Sequence, residues 1–146
     1  GVLNVLRLDR QPREPVELIR EEFTVAQALL SPDNRFIAFT SDETRPLNAW
    51  LWTFDADKIA VGPASEKLQL TTGGAGGPLS WGWGSNGHEV TYRNAGVVGS
   101  VTVATSGTVS AEAPRVLFRH PEAAGAASAS RNGERWVFIA PAIDRR

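Results

Sequence analysis

The chain contains no cysteine and no methionine in 146 residues, and only one tyrosine. Without cysteine it has no disulfide framework, no thiolate metal site and no cysteine nucleophile. No apolar run approaches the roughly 20 residues that a membrane-spanning helix needs. We therefore expect no membrane insertion.

The chain also lacks an excess of positive or of negative charge. Lysine and arginine total 15 against 16 aspartates and glutamates, and the two signs are interspersed along the chain. A protein that binds a phosphate backbone presents a basic face. Nucleic acid is therefore not an expected partner.

What the sequence has instead is many short β-type segments separated by turns. Glycine and proline are frequent, at 14 and 9 residues, and residues 15–28, the one plausible helix, are better interpreted as strand, turn, strand. The segments are 4–8 residues long and rich in branched and aromatic side chains. They cover residues 2–8, 16–19, 26–30, 35–40, 49–54, 67–71, 79–83, 88–92, 98–104, 114–118, 125–129 and 135–140. This pattern predicts one all-β domain over residues 1–146.

Alternation is clearest in residues 49–54. Because side chains alternate between the two faces of a strand, Trp50, Trp52 and Phe54 share one face. Leu51 on the other face is also apolar. Both faces of this strand are therefore expected to be covered.

Three segments of the chain can be laid over one another: residues 28–40, 80–92 and 127–139. Each has a small or apolar strand, a four-residue polar turn and a second apolar strand. The turns contain Ser31, Pro32, Asp33 and Asn34, then Asn86 and Gly87, then Asn132 and Gly133. Proline, Asx residues and glycine suit successive positions of a tight turn. A period near 40–50 residues with four strands per unit is typical of a propeller blade.

At these residues the chain resembles the WD40-like propeller repeat of the TolB type, the PD40 repeat. Its hallmark is Ser-Pro-Asp-Gly followed by a basic residue; here Ser31, Pro32 and Asp33 match and Asn34 takes the glycine place before Arg35. The order of segments resembles the C-terminal blades of bacterial propeller domains. The resemblance implies a β-propeller fold and a periplasmic or extracytoplasmic location.

The strand count predicts about three blades, arranged as half, whole, whole, half. Residues 1–20 supply the third and fourth strands of one blade (strands c and d), 26–71 and 78–118 are whole blades, and 125–140 supply the first and second strands (a and b). Propellers close with four to eight blades. The chain is therefore either a fragment of a longer propeller or half of a six-bladed ring formed by two copies.

The expected surface between two copies lies in the apolar terminal segments. Each of these segments ends a sheet that lacks its other strands, and exposed edges invite pairing. The residues concerned are Leu3, Val5, Leu6, Leu8, Trp136, Val137, Phe138 and Ile139. Trp81 and Trp83 are candidate binding residues at the mouth of a propeller channel, although packing between blades is favoured for both.

Catalytic and metal-binding patterns are not evident. His88 and His120, the only histidines, stand without a carboxylate constellation, and no Gly-x-Ser-x-Gly motif surrounds Ser85. The acidic pairs at residues 21–22 and 42–43 are expected to be solvated. The glycines of residues 73–77 lack the Lys-Ser/Thr of a P-loop and are expected to carry the chain from one blade to the next.

These patterns predict a non-catalytic propeller scaffold that binds a protein or small ligand, without cofactor or metal. The alternative is an accessory sensor or gating segment of a larger enzyme, such as a bacterial protein kinase or a prolyl oligopeptidase-like hydrolase. A carbohydrate-active propeller hydrolase is weaker, because no paired carboxylates stand out.

Overall fold

A computed structural model describes residues 1–76, 80–82, 88–120, 127–129 and 134–138, with the backbone alone at 80–82, 127–129 and 138. The described residues form antiparallel sheets and a single turn of 3₁₀ helix, Ala64–Glu66, which confirms the all-β prediction. The strands of the first half are β1 (Val2–Val5), β2 (Val16–Arg20), β3 (Val25–Leu30), β4 (Phe36–Ser41), β5 (Asn48–Asp55), β6 (Ala60–Val61) and β7 (Leu68–Gln69). Those of the second half are β8 (Ser80–Gly82), β9 (Glu89–Asn94), β10 (Val97–Ala104), β11 (Ser110–Ala111), β12 (Arg115–Arg119), β13 (Ala127–Ala129) and β14 (Trp136–Phe138).

The chain divides into two compact units, Gly1–Gly74 and Ala75–Arg146. In the first unit β1 and β2 form a two-stranded ribbon. A second sheet has the order β3-β4-β5, and the free edge of β5 takes both β7, beside Trp50 and Leu51, and β6, beside Phe54 and Asp55.

The core of the first unit lies on one face of that sheet. Ile37 faces Trp52 and Phe39 faces Trp50 across β4 and β5, and all four side chains belong to one buried apolar cluster with Phe54, Leu18 and Ile19. The ribbon covers this cluster, because Leu3 and Val5 also pack against it. The shared face of Trp50, Trp52 and Phe54 is thus confirmed.

The opposite face of the sheet is buried as well. Phe36, Ala38 and Leu51 alternate with the cluster residues and are at most 2% exposed. All six residues of β4 are buried. In β5, Leu51 on this face is 1% exposed, so the expectation that both faces of residues 49–54 are covered is confirmed.

The second unit repeats the strand layout of the first. β8, β9 and β10 form a meander, and the free edge of β10 takes β12 beside residues 97–100 and β11 beside residues 103–104. β13 and β14 form a separate antiparallel ribbon. The Trp136 ring meets the Phe118 ring edge-on at a centroid distance of 5.6 Å.

Strand boundaries differ from the sequence prediction in two ways. The segment at residues 2–8 leaves the ribbon after Val5, where Arg7 pairs with Asp9 at 2.6 Å and Leu6 and Leu8 are exposed. The strands β6 and β11 were not predicted, because two residues are too short to produce an alternation signal. Among the described residues, no helix has the length and hydropathy to cross a bilayer.

Trp52→Ala is expected to lower the unfolding free energy by about 3–5 kcal/mol, the usual cost of deleting a large buried aromatic. Trp52 is 8% exposed in the core cluster, and its indole N–H donates to the Pro63 carbonyl at 3.1 Å. Urea denaturation followed by circular dichroism measures the change. Val116→Ala is the control, since Val116 is 47% exposed, and equal losses in the two variants would contradict the assigned core.

Candidate functional site

The predicted turn at residues 31–34 connects β3 to β4. The hydroxyl of Ser31 donates to Asp33 Oδ1 at 2.6 Å and accepts the N–H groups of Arg35 and Phe36. Asn34 has a φ of +57°, a conformation that asparagine tolerates better than most residues. Residues 31–34 therefore form the turn between β3 and β4, as predicted.

Lys67, just before β7, lies at the centre of an unusual polar cluster. Its ammonium is 2.9 Å from Glu21 Oε1 and also pairs with Glu43. It lies 5.1 Å from the ring centre of Trp50 and 5.2 Å from that of Trp52, within the range of cation–π attraction. We call Lys67, Glu21 and Glu43 the Lys67 cluster.

The Lys67 cluster corrects the expectation that the acidic pairs at 21–22 and 42–43 are solvated. Glu22 is exposed, but the side chains of Glu21 and Glu43 are only 20% and 30% exposed. Both carboxylates are partly buried because they pair with the Lys67 ammonium, whose side chain is only 9% exposed and needs compensating charge. Sequence reasoning missed the cluster because its ion pairs join residues 46 and 24 positions apart.

Electrostatics keeps Lys67 charged. Burial would lower its pKa, but the hydrogen bonds to Glu43 and Glu21 and the attraction of both carboxylates outweigh burial and hold the pKa above 10.5. A lysine that acts as a nucleophile or base needs a lowered pKa. The raised pKa keeps Lys67 in the charged form that its two ion pairs require.

A cleft of about 320 Å³ opens beside the end of β5. Its lining residues come from β5, from the turn to β6 and from the 3₁₀ turn: Thr53, Phe54, Asp55, Lys58, Ala60, Val61, Gly62 and Glu66. Asp55 Oδ1 accepts the N–H groups of Asp57 and Lys58, and Asp55 Oδ2 is 3.2 Å from the Lys58 ammonium. On the other side, the Thr53 hydroxyl donates to Glu66 Oε2.

The glycines of residues 73–77 were predicted to carry the chain from one blade to the next, and the structure describes this segment up to Gly76. Gly74 has a φ of +105°, and its N–H donates to the buried Asn48 side chain at 3.0 Å. The hydroxyl of Thr71 donates to the same Asn48 oxygen at 3.1 Å. Hydrogen bonding thus fixes the chain where it leaves β7.

The residues predicted for the surface between copies separate into buried and exposed sets. Leu3 and Val5 pack on the core cluster, Leu6 and Leu8 are 48% and 67% exposed, and Val137 is 74% exposed. Trp136 is half-buried, and Phe138 is described by its backbone alone. Trp81 lies in β8 with no side chain described; Trp83, Asn86, Gly87, Asn132, Gly133 and Ile139 lie outside the described residues.

Both histidines belong to the second unit. His88 Nε2 is 3.2 Å from the Thr105 hydroxyl, and the His120 N–H donates to the Gly96 carbonyl at 2.8 Å. Within the described ranges, no three histidine, aspartate or glutamate side chains converge on a point where a metal ion would bind.

Comparison with known proteins identifies no relative: no family model, curated protein or solved structure matches the chain. The resemblance to the PD40 repeat therefore stays a prediction from Ser31, Pro32 and Asp33 and the repeated segments.

Lys67→Met is expected to destabilise the first unit by about 2–3 kcal/mol, because it leaves two partly buried carboxylates without a cation. Methionine keeps the apolar stem in contact with the rings of Trp50 and Trp52. The control is Lys58→Met at the only other lysine, whose side chain is 79% exposed in its pair with Asp55; it should change stability by less than about 0.5 kcal/mol. Equal urea midpoints for the two variants would show that the Lys67 cluster does not stabilise the fold.

The same cluster predicts sensitivity to alkali. Because the folded-state pKa of Lys67 is raised above 10.5, its stabilisation is fully present below that pH and is lost as pH rises through the folded-state pKa. Burial also raises the pKa of Tyr92 above 10.0. Deprotonation of Tyr92 therefore favours the unfolded state, and this effect too lowers stability as the pH rises. The stability difference between the native chain and Lys67→Met should stay constant from about pH 7 to about pH 9 and shrink above about pH 10.5. A difference independent of pH up to about 12 would contradict this.

Proposed function

We propose that the chain is a β-propeller section that acts by binding and not by catalysis. The observation that carries this proposal is the repeated strand layout. β3-β4-β5-β7 and β8-β9-β10-β12 are successive four-stranded antiparallel meanders, each with a short extra strand, β6 or β11, on its third strand. Four-stranded units repeated along the chain are the building plan of propellers.

The two ribbons support a proposal about assembly. β1 and β2 correspond to the last two strands of such a unit, and β13 and β14 to the first two. Among the described residues, β1 pairs only with β2 and β14 pairs only with β13. We propose that β14 of one copy pairs with β1 of another, so that two copies form a six-bladed ring with an isologous contact.

Side-chain alternation favours this pairing. In β14, Trp136 contacts Phe118, so the neighbouring Val137 points to the opposite face and is 74% exposed. In β1, Leu3 and Val5 face the core cluster. Pairing of β14 with β1 places Val137 beside these apolar residues and removes its surface from water.

A binding role is consistent with where the polar groups lie. Loops and strand ends on a rigid scaffold are the usual location of binding residues, and the cleft beside Thr53, Asp55 and Glu66 opens at such a strand end. The partly buried carboxylates Glu21 and Glu43 pair with Lys67, so we assign them to the stability of the fold and not to ligand binding.

The intact chain is expected to sediment as a dimer of the 15.7 kDa polypeptide. Deleting residues 1–8 should give monomer or aggregate, because the deletion removes the strand that receives β14. Val137→Asp should give a folded monomer, since the aspartate is tolerated at an exposed site but not beside Leu3 and Val5. Sedimentation equilibrium measures the mass.

The matched control is Val116→Asp, where Val116 is 47% exposed and belongs to β12, which pairs with β10 and is part of neither ribbon. This variant should stay dimeric. A native chain that remains monomeric at high concentration would rule out the ring of two copies. The same would follow if Val116→Asp and Val137→Asp changed the mass equally.

A further inference from the structure

The cleft beside the end of β5 is shaped by a glycine. A Cβ at Gly62 would collide with Thr53 Oγ1 and with Glu66 Oε2. The bare backbone of Gly62 therefore lets the Thr53 hydroxyl and the Glu66 carboxylate meet across it. The Gly62 N–H donates to the Thr53 carbonyl at 2.9 Å, which fixes this wall of the cleft to β5.

The opposite wall is held by a constrained turn. Ile59 has a φ of +52°, which costs a β-branched residue about 1–3 kcal/mol. Its side chain packs against the core cluster, which stabilises the turn and sets Lys58 and Ala60 along the cleft. The backbone of both walls is thus held in place, and the side chains of Lys58 and Glu66 are exposed on it.

The two carboxylates of the cleft, Asp55 and Glu66, differ in how far they are neutralised. Asp55 is neutralised by Lys58 and also accepts two backbone N–H groups. Glu66 accepts one neutral hydroxyl, from Thr53, and makes no ion pair among the described residues. The lining therefore carries two carboxylates and one ammonium, a net charge of −1, next to the apolar residues Phe54, Ala60 and Val61.

We propose that the cleft binds an organic cation whose charge is carried on an apolar stem, with a guanidinium as the best fit. The stem would lie along Ala60 and Val61, while the planar guanidinium would meet Glu66 and reach Asp55, because its five donors suit two carboxylates better than a single ammonium does. A volume near 320 Å³ is at the small end of ligand sites. It suits one side chain or one small molecule. This inference rests on the proposed binding role and adds the ligand chemistry.

The test is a titration of the ¹⁵N-labelled chain with N-acetylarginine amide, followed by the amide shifts of residues 58–62. We expect saturable shifts with a Kd of about 1 mM or tighter, weakened by salt because the contact is ionic. N-acetylcitrulline amide, which is neutral and nearly the same shape, should bind at least about tenfold more weakly. Equal binding of the two compounds would overturn the proposal.

Ethylguanidinium separates the two sources of such a cation. If it binds as tightly as N-acetylarginine amide, the ligand is a free small cation; if it binds clearly more weakly, the ligand is an arginine side chain of a partner protein. In both cases the ligand carries a guanidinium. If neither ethylguanidinium nor N-acetylarginine amide binds, the proposal is overturned.

Three variants test the residues. Glu66→Gln should weaken binding at least about tenfold, while Lys58→Met should tighten it, because Asp55 then lacks its competing cation. Glu112→Gln is the control, since Glu112 is exposed in the second unit, and it should bind as the native chain does. A Glu66→Gln variant with native affinity would overturn the proposal. None of these variants touches β1 or β14, so failure here is distinguishable from failure of the dimer, which is read from the mass.

Discussion

The first unit depends on one charged group held against an apolar core. Lys67 precedes β7 and Glu21 follows β2, so their ion pair joins the sheet to the ribbon that covers it. Glu43 follows β4, so its ion pair with Lys67 lies within the sheet. The ammonium also lies over the rings of Trp50 and Trp52, which ties the charge to the core cluster. A charge buried this far is stable only when paired. The ion pair between the ribbon and the sheet therefore requires Lys67 to stay protonated.

This constraint complements hydrophobic packing, which is not directional. Burial of Leu3 and Val5 favours any close approach of the ribbon to the cluster. The ion pairs restrict that approach to arrangements in which Glu21 reaches Lys67. Apolar packing and the Glu21–Lys67 pair therefore act together, the first without a preferred direction and the second with one.

The sequence was informative wherever the signal is local. Alternation in residues 49–54 predicted the buried face of β5, and the chemistry of Ser31, Asp33 and Asn34 predicted a turn, because both depend on neighbours within a few positions. The Lys67 cluster and the cleft depend on contacts between distant segments or on a missing Cβ at Gly62. No periodicity records such contacts. Two adjacent glutamates therefore looked alike in sequence, although Glu21 is an internal partner and Glu22 is exposed.

The connection from β5 to β7 carries both the central cation of the Lys67 cluster and the Glu66 carboxylate of the proposed guanidinium site. Glu66 and Lys67 are adjacent, yet Lys67 pairs with Glu21 and Glu43 while Glu66 faces the cleft with Thr53. Anchoring of Lys67 fixes the backbone from which Glu66 projects. Glu66 accepts the Thr53 hydroxyl and makes no ion pair among the described residues, which leaves its charge for the cation of the proposed site. A carboxylate positioned in advance loses less conformational entropy on binding than a mobile one, so in the proposed guanidinium site the Lys67 cluster would contribute to affinity through the backbone that it holds.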